Sequence, residues 1–330
     1  MSARAGAARF ARIRRTGASL PVRIVVTLSL VGLVASQIDW SRMGRRVSHG
    51  QPVYFLAAIA FVGAALVVGG FRWSRLLEKA DLNLSTGVLA RIYAVSTFSN
   101  TFLPTSVGGD VTRAVLVARR GPLLTRTAIT IVIDRVGGLA GLVGMAWLAL
   151  ALRSTNVPHG ARVFLEWVTV AVAVGSLVVL VAVFRGTRFA RAAVPSKLVS
   201  HARQSRSLVR SYATDPRLLV VVVLLSLLYQ ALISMQLVML ARAINVHLPF
   251  ATAAVVLALV TVVTLIPVSI GGFGVREGSY VVLLGGASIA ATDAALISVL
   301  SVAALFFASL PGAVLLMRGG LAPALGSSRA

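Results

Sequence analysis

Two short segments combine proline, serine, paired glycines and arginine in the same order. The first reads LPTSVGGDVTR, from Leu103 to Arg113, and the second reads IPVSIGGFGVR, from Ile266 to Arg276. Such a coincidence, about half a chain length apart, indicates an internal duplication. The coinciding residues are Pro104, Ser106, Gly108, Gly109 and Arg113 in the first copy, and Pro267, Ser269, Gly271, Gly272 and Arg276 in the second.

The order of residue types in this motif suits the binding of an anion. Proline ends an incoming helix because it lacks the backbone donor, and paired glycines allow a positive φ or a close approach. A helix that restarts after them presents free N–H groups, which favour a phosphate or carboxylate together with the arginine. Each element also has a structural explanation: the glycines as packing sites, Ser106 and Ser269 as helix caps, Arg113 as an interfacial arginine, and Arg276 as the partner of Glu277.

Asp134 and Arg135 lie some ten residues into an apolar run, roughly 15 Å along a helix. Charges at that depth are costly and are usually paired or functional. Asp110 and Asp134 are therefore candidates to neutralise Arg113 and Arg135, with Asp110 or another segment the expected partner of Arg135. Together with the motifs, the candidate substrate-binding residues are Asn100, Pro104, Ser106, Gly108, Gly109, Asp110, Arg113, Asp134, Arg135, Pro267, Ser269, Gly271, Gly272, Gly274, Arg276 and Glu277.

The composition indicates that these residues are positioned by membrane helices. Of 330 residues, 58% are hydrophobic and 12% are charged, whereas a soluble domain carries about 25% charged residues. Apolar runs of about 20 residues recur along the chain, each long enough to cross the hydrocarbon core. We therefore predict an all-α polytopic bundle over 22–318, with a basic cytoplasmic tail at 1–21 and a cytoplasmic tail at 319–330.

The charge balance and the missing residue types exclude several functions. The net charge is +23, and the basic residues lie between the apolar runs. Positive-inside bias explains this placement better than nucleic-acid binding does. Cysteine is absent and the four histidines are scattered, so no metal site and no cofactor are predicted. A nucleotide-binding lysine after a glycine loop is also missing. We do not expect an enzyme.

The positive-inside rule predicts the topology. Hydropathy finds eight apolar segments, but with the N-terminal tail and the 185–217 loop both cytoplasmic, segments 88–103 and 251–267 begin and end on one face. They are predicted to be re-entrant hairpins entering from opposite faces, an inverted repeat within an inner-membrane protein with both termini cytoplasmic. The alternative to two hairpins is that all eight apolar segments are plain spans. At the N-terminus we expect an uncleaved signal-anchor, and a cleaved signal peptide is the alternative.

The segments FSNTFLPTSVGGDVTRAVLV, IVIDRVGGL and PVSIGGFGVREGSYVVLL resemble the signature regions of the flippase-like family. This family corresponds to the transmembrane region of lysylphosphatidylglycerol synthase, and the resemblance runs from about residue 20 to 318. It implies a lipid-handling membrane domain and carries over the candidate residues above, the two motif serines excepted. The soluble aminoacyltransferase domain has no counterpart here, so the resemblance does not extend to the synthase activity.

Three functions are compatible with these observations. The first is a translocase for a phospholipid or a polyprenyl-linked lipid, which binds an anionic headgroup between the two hairpins. The second is a non-transporting subunit or scaffold of lipid, hopanoid or glycan biosynthesis, with a membrane enzyme as its partner. The third is an intramembrane enzyme acting on a lipid phosphate, for which the sequence shows neither a nucleophile nor a metal triad.

Overall fold

The computed structural model describes residues 20–36, 38–102, 108–118, 122–151, 159–189, 207–265, 269 and 272–317. Within these ranges the chain forms α-helices and no β-strand, which confirms the predicted all-α class. The helices are α1 Leu20–Ser36, α2 Trp40–Ser48, α3 Pro52–Lys79, α4 Thr86–Phe102, α5 Gly108–Val117, α6 Pro122–Ala151, α7 His159–Phe189, α8 207–213, α9 Pro216–Ala243, α10 Phe250–Leu265, α11 Val275–Gly285 and α12 Ala291–Met317.

Four of the described helices are long and apolar enough to cross a membrane: α3, α6, α9 and α12. With 27 to 30 residues each, they exceed the roughly 20 residues that a span requires. Shorter apolar stretches occur in α1 and in α10, at Thr27–Ser36 and Phe250–Leu265. The protein is therefore a helical membrane bundle.

Helices α3 and α9 pack against each other in antiparallel orientation and are joined at both ends. At one end the backbone N–H of Gln51 donates to the carbonyl of Ala243 at 2.8 Å. At the other end Lys79 Nζ donates to Asp215 Oδ2 at 2.7 Å. Asp215 also caps α9, because its Oδ1 accepts the N–H of Leu218 at 3.1 Å. These contacts fix which ends of the long helices lie at the same face.

Close helix crossings depend on glycines that face neighbouring backbones. A Cβ at Gly141 of α6 would lie 2.4 Å from Ser226 Cβ of α9, and one at Gly312 of α12 would lie 2.1 Å from the carbonyl oxygen of Ala94 in α4. Small residues at such crossings let membrane helices approach closely. The bundle is thereby tight enough for side chains on different helices to form ion pairs.

Each copy of the repeated motif lies between two consecutive helices that pack together. The first copy joins α4 to α5 and the second joins α10 to α11. Several motif residues, Pro104, Ser106, Pro267 and Gly271 among them, lie outside the described residues. The re-entrant hairpins therefore stay a prediction.

Two apolar clusters flank a polar layer in the middle of the bundle. One cluster contains Leu142 to Leu150 of α6 with the second half of α9, and the other contains Trp73 to Leu82 with Ile129 and Ile131. The positions between them on α6 and α9 carry the buried polar residues Asp134, Ser226 and Gln230. The candidate site lies in this layer.

Candidate functional site

Arg72 and Asp134 form one of the two most deeply buried ion pairs of the described residues. Arg72 Nε donates to Asp134 Oδ1 at 2.8 Å, and the two side chains are only 8% and 4% exposed. Arg72 Nη1 also donates to Ser226 Oγ at 2.9 Å. The pair joins α3, α6 and α9 at a depth where an uncompensated charge would be costly.

Arg113 of the first motif extends this pair to α5. Its Nη1 donates to Asp134 Oδ2 at 3.3 Å, and its Nη2 donates to Asp110 Oδ1. The guanidinium carbon also lies 5.1 Å from the ring centre of Trp73 and 5.4 Å from that of Tyr93, within cation–π range. Arg113 is 7% exposed, so the explanation of this residue as an interfacial arginine is wrong.

Arg135 ends the chain of ion pairs at a more open position. Its Nε and Nη2 both lie 2.7 Å from Asp110 Oδ2. The side chain of Arg135 is 44% exposed, whereas that of Asp110 is 12% exposed. The predicted partnership of Arg135 with Asp110 is therefore present in the structure, and Asp134 pairs with Arg72 and Arg113 instead.

A polar cavity of about 310 Å³ is lined by the five charged side chains of this network, which are Arg72, Asp110, Arg113, Asp134 and Arg135. Its walls come from α3, α4, α5, α6, α9, α10 and α12, and hydroxyl and amide groups supplement the charges. The other polar lining residues are Tyr93, Ser96, Thr97, Asn100, Thr101, Tyr229, Gln230 and Thr261. The arginine, hydroxyl and amide donors around a cavity of this size can hold a small anionic group.

A larger apolar groove of about 800 Å³ adjoins the polar cavity. Its walls come from α5, α6, α7 and α10, with side chains such as Val111, Ile131 and Val262. The cavity and the groove share Asp110, Arg135, Leu139 and Leu265. The Asp110–Arg135 pair therefore stands where the polar space meets the apolar space.

Gly109 brings the first motif close enough to join this network. Both Gly108 and Gly109 are helical, so the expected positive φ does not occur in this copy. A Cβ at Gly109 would instead lie 2.5 Å from the carbonyl oxygen of Ser96 and 2.8 Å from Asn100 Cβ. Close packing of α5 on α4 is the reason for glycine here, and it directs Asp110 and Arg113 towards α6.

The second motif differs from the first in local geometry. Gly272 and Gly274 have φ values of 77° and 80°, so the expected positive φ does occur in this copy. Gly274 is the N-cap of α11, and its N–H donates to Glu277 Oε2 at 2.6 Å. The explanation of Ser269 as the cap of this helix is therefore wrong, and Ser269 Oγ is buried without a hydrogen bond among the described residues.

The described residues of the second motif lie apart from the polar cavity. A Cβ at Gly274 would lie 2.5 Å from Leu30 Cβ, because α1 crosses closely at this point. Ser269, Gly272, Gly274, Arg276 and Glu277 do not line the cavity, which α10 reaches through Thr261 and Leu265. The two copies thus have different surroundings in the described structure.

Comparison with known proteins identifies the family. The model for the transmembrane region of lysylphosphatidylglycerol synthase matches residues 21–312. The chain belongs to this family. The match covers both copies of the motif and the adjacent residues Asp134 and Arg135. It confirms the resemblance seen in the sequence. The search of curated proteins finds no match.

Membership of this transmembrane family places the chain in a lipid-related process of a membrane. The described residues contain no cluster of histidine and acidic side chains that could hold a metal ion. The candidate residues taken from the sequence do not include Arg72, although it is 6% exposed inside the bundle. Its position directly after an apolar run and before Trp73 is the signal that could have identified it. The positive-inside rule places Arg72 on the cytoplasmic side with Arg75 and Lys79, and that placement stays a prediction.

Proposed function

We propose that the chain translocates a phospholipid between membrane leaflets, with the headgroup in the polar cavity and an acyl chain in the apolar groove. The observation that carries this proposal is the shared wall of the two spaces at Asp110 and Arg135. A lipid has the same division, a charged group covalently joined to an apolar chain. The groove has the volume for part of a chain, and the cavity supplies donors for a phosphate.

The charge of the cavity favours a headgroup with one negative charge. Three arginines and two aspartates line it, so the ionised side chains sum to one positive charge. The residues of the two motif breaks, 103–107 and 266–271, contain no ionisable side chain and add nothing to this sum. A phosphodiester monoanion would neutralise the cavity, and charge-assisted hydrogen bonds from arginine would hold it.

The size of the cavity favours a compact headgroup. A volume of about 310 Å³ corresponds to the space of roughly ten liquid waters. That space suits a phosphate with a glycerol-sized substituent and is too small for an oligosaccharide. We therefore favour a phospholipid over a polyprenyl-linked glycan as the substrate.

Arg135 is the residue we propose to meet the phosphate first. It is the most exposed of the three cavity arginines, and it stands at the junction with the groove. A phosphate arriving there can replace Asp110 as the acceptor for Arg135, while Arg72 and Arg113 stay paired with Asp134. We propose that the protein acts in the inner membrane without covalent chemistry. The lipid would move down its concentration gradient or with the help of a partner protein.

The proposal is tested with purified protein in liposomes of phosphatidylcholine. Phosphatidylglycerol and phosphatidylcholine, each with a fluorescent acyl chain, are the probes, and dithionite quenching reports the fraction of probe in the outer leaflet. We expect the anionic probe of the inner leaflet to become accessible to dithionite quickly, and the zwitterionic probe to become accessible more slowly. Equal rates with and without protein contradict translocation, and binding of the anionic probe without movement favours the non-transporting subunit instead.

A further inference from the structure

Helix α2 lies at one common end of the long helices α3, α9 and α12. The backbone N–H of Asp39 donates to Thr292 Oγ1 at 3.1 Å, and Arg46 Nη1 donates to the carbonyl of Ile244 at 3.1 Å. The Lys79–Asp215 pair marks the opposite end of α3 and α9. Because α3, α9 and α12 are long enough to span, α2 lies at a boundary between hydrocarbon and water.

The side chains of α2 suit a helix that lies at the membrane surface. Met43 packs against the apolar core, while Trp40, the first residue of the helix, is 63% exposed. Tryptophan is enriched at the level of the lipid headgroups, because its ring is apolar and its N–H is polar. Three of the nine residues of this helix are arginines, at positions 42, 45 and 46.

The arginines of α2 face a polar pocket of about 400 Å³, lined by Arg42, Arg45, Arg46, His49 and Asn245. This pocket shares no residue with the central polar cavity. Among the described residues, its walls carry nitrogen donors and no carboxylate, which is the composition of an anion site.

Asp293, at the start of α12, holds two of these arginines from the buried side. Arg42 Nη2 lies 2.8 Å from Asp293 Oδ2 and Arg46 Nε lies 3.2 Å from Asp293 Oδ1, and the aspartate side chain is 4% exposed. The carboxylate thus orients both guanidinium groups but neutralises only one positive charge. Arg45, whose Nη1 donates to Ser41 Oγ at 3.3 Å, adds a further charge.

The remaining acid near α2 does not line the pocket. Asp39 precedes the helix, and its Oδ1 accepts the N–H of Arg42 at 2.9 Å and the hydroxyl of Ser41 at 2.7 Å. These hydrogen bonds, the one from the backbone of Arg42 first, hold the pKa of Asp39 below its ordinary value. Asp39 therefore caps α2 at its N-terminus, and the pocket keeps its positive charge.

We infer that this pocket binds the phosphate of an anionic phospholipid in the leaflet at the α2 end of the bundle. A headgroup can approach from the membrane because α2 lies at the boundary and Trp40 is exposed. Asp293 already orients Arg42 and Arg46 to receive it. A protein partner is the less favoured occupant, since the pocket is small and donor-rich. The inference does not depend on translocation through the central cavity.

The lack of cysteine allows a local test. Ser48→Cys places one thiol at the exposed end of α2, and an environment-sensitive fluorophore on it reports occupancy of the pocket. Short-chain phosphatidylglycerol is titrated into the labelled protein in a non-ionic detergent, with short-chain phosphatidylcholine as the zwitterionic comparison. We expect a saturable change with phosphatidylglycerol and at most a weak, non-saturating change with phosphatidylcholine.

The double variant Arg45→Gln/His49→Gln replaces the charged guanidinium of Arg45 and the imidazole of His49 with neutral amides and leaves the Asp293 pairs with Arg42 and Arg46 intact. We expect its apparent affinity for phosphatidylglycerol to fall at least about tenfold, the loss that accompanies removal of a charge-assisted hydrogen bond. Arg162→Gln, at an exposed position of α7, is the matched control and should bind as the parent does. Equal responses to both lipids, or an unchanged affinity in a double variant with parental circular dichroism, overturns the inference.

Discussion

Arg135 of α6 and Asp110 of α5 are 25 positions apart in the chain, and their Nε and Oδ2 atoms lie 2.7 Å from each other. This pair closes a series of contacts that begins at Arg72 and passes through Asp134 and Arg113. It is also the only charged pair that lines both the polar cavity and the apolar groove in the described structure. A change at this pair should therefore separate function from stability.

Arg135→Gln should impair lipid movement while the protein still folds. The side chain is 44% exposed, so its loss leaves Asp110 paired with Arg113 and reachable by water or headgroups. We expect the translocation rate of fluorescent phosphatidylglycerol to fall about tenfold or more, the effect of one lost charge-assisted contact. Arg91→Gln, at an exposed position of α4, should keep the parental rate; a parental rate for Arg135→Gln itself contradicts the proposed role.

Asp134→Asn should destabilise the bundle strongly. The substitution removes the carboxylate shared by Arg72 and Arg113, which are both at most 8% exposed. Leaving buried charges without their partner costs about 3–5 kcal/mol. The measurement is the thermal unfolding midpoint in detergent, followed by tryptophan fluorescence, with the exposed Glu166→Gln of α7 as control. A midpoint equal to that of the control would mean that the network contributes nothing to stability.

Gly109→Ala should separate α5 from α4 although alanine is the better helix former by about 1 kcal/mol. The new methyl group would lie 2.5 Å from the carbonyl oxygen of Ser96, which belongs to a helix backbone and cannot rotate away. We expect a lower unfolding midpoint and slower translocation, because Asp110 and Arg113 move away from α6. Gly87→Ala, whose added Cβ would meet nothing within 4 Å, should be neutral, and similar behaviour of the two variants argues against the packing role.

The Lys79–Asp215 pair should make stability depend on acid pH. The hydrogen bond from Lys79, followed by that from the N–H of Leu218, lowers the pKa of Asp215 below its ordinary value of 3.8. A lowered folded-state pKa contributes stability above the unfolded pKa and loses it as the pH falls through the folded value. Asp215→Asn should thus lower the unfolding midpoint at neutral pH, and the difference from the parent should shrink below about pH 4. A difference that is constant from pH 7 to pH 3 shows that the carboxylate charge is not responsible.

The 185–217 loop and the C-terminus should both be cytoplasmic. The arginines of that loop dominate the positive charge between apolar segments, and the antiparallel α3–α9 pair places Lys79 at the same face as the start of α9. Fusions of a cytoplasmically active reporter after Ser205 and after Ala330 should both be active. Fusions of a reporter that works only after export should both be silent, and an exported C-terminus would refute the predicted inverted topology.

The sequence alone was sufficient for the class of the protein, its family and part of its ionic network. Hydrophobic runs longer than a bilayer is thick can be satisfied only by helices that bond their own backbone, so the all-α membrane class followed from composition. Charges inside such a run must be neutralised, and this requirement predicts Asp110 as a partner of Arg135.

The tertiary structure decided which residues meet. Arg72 reaches Asp134 because α3 and α6 cross at that height, and hydropathy does not encode the rotation or offset of one helix against another. For the same reason the two motif copies, alike in sequence, differ in surroundings: Gly109 meets α4, whereas Gly274 meets α1. The apolar groove and the pocket of α2 also arise only from packed helices, since their walls combine residues from distant segments. Spacing along one helix specifies a face, and only the packing of several helices specifies what that face contacts.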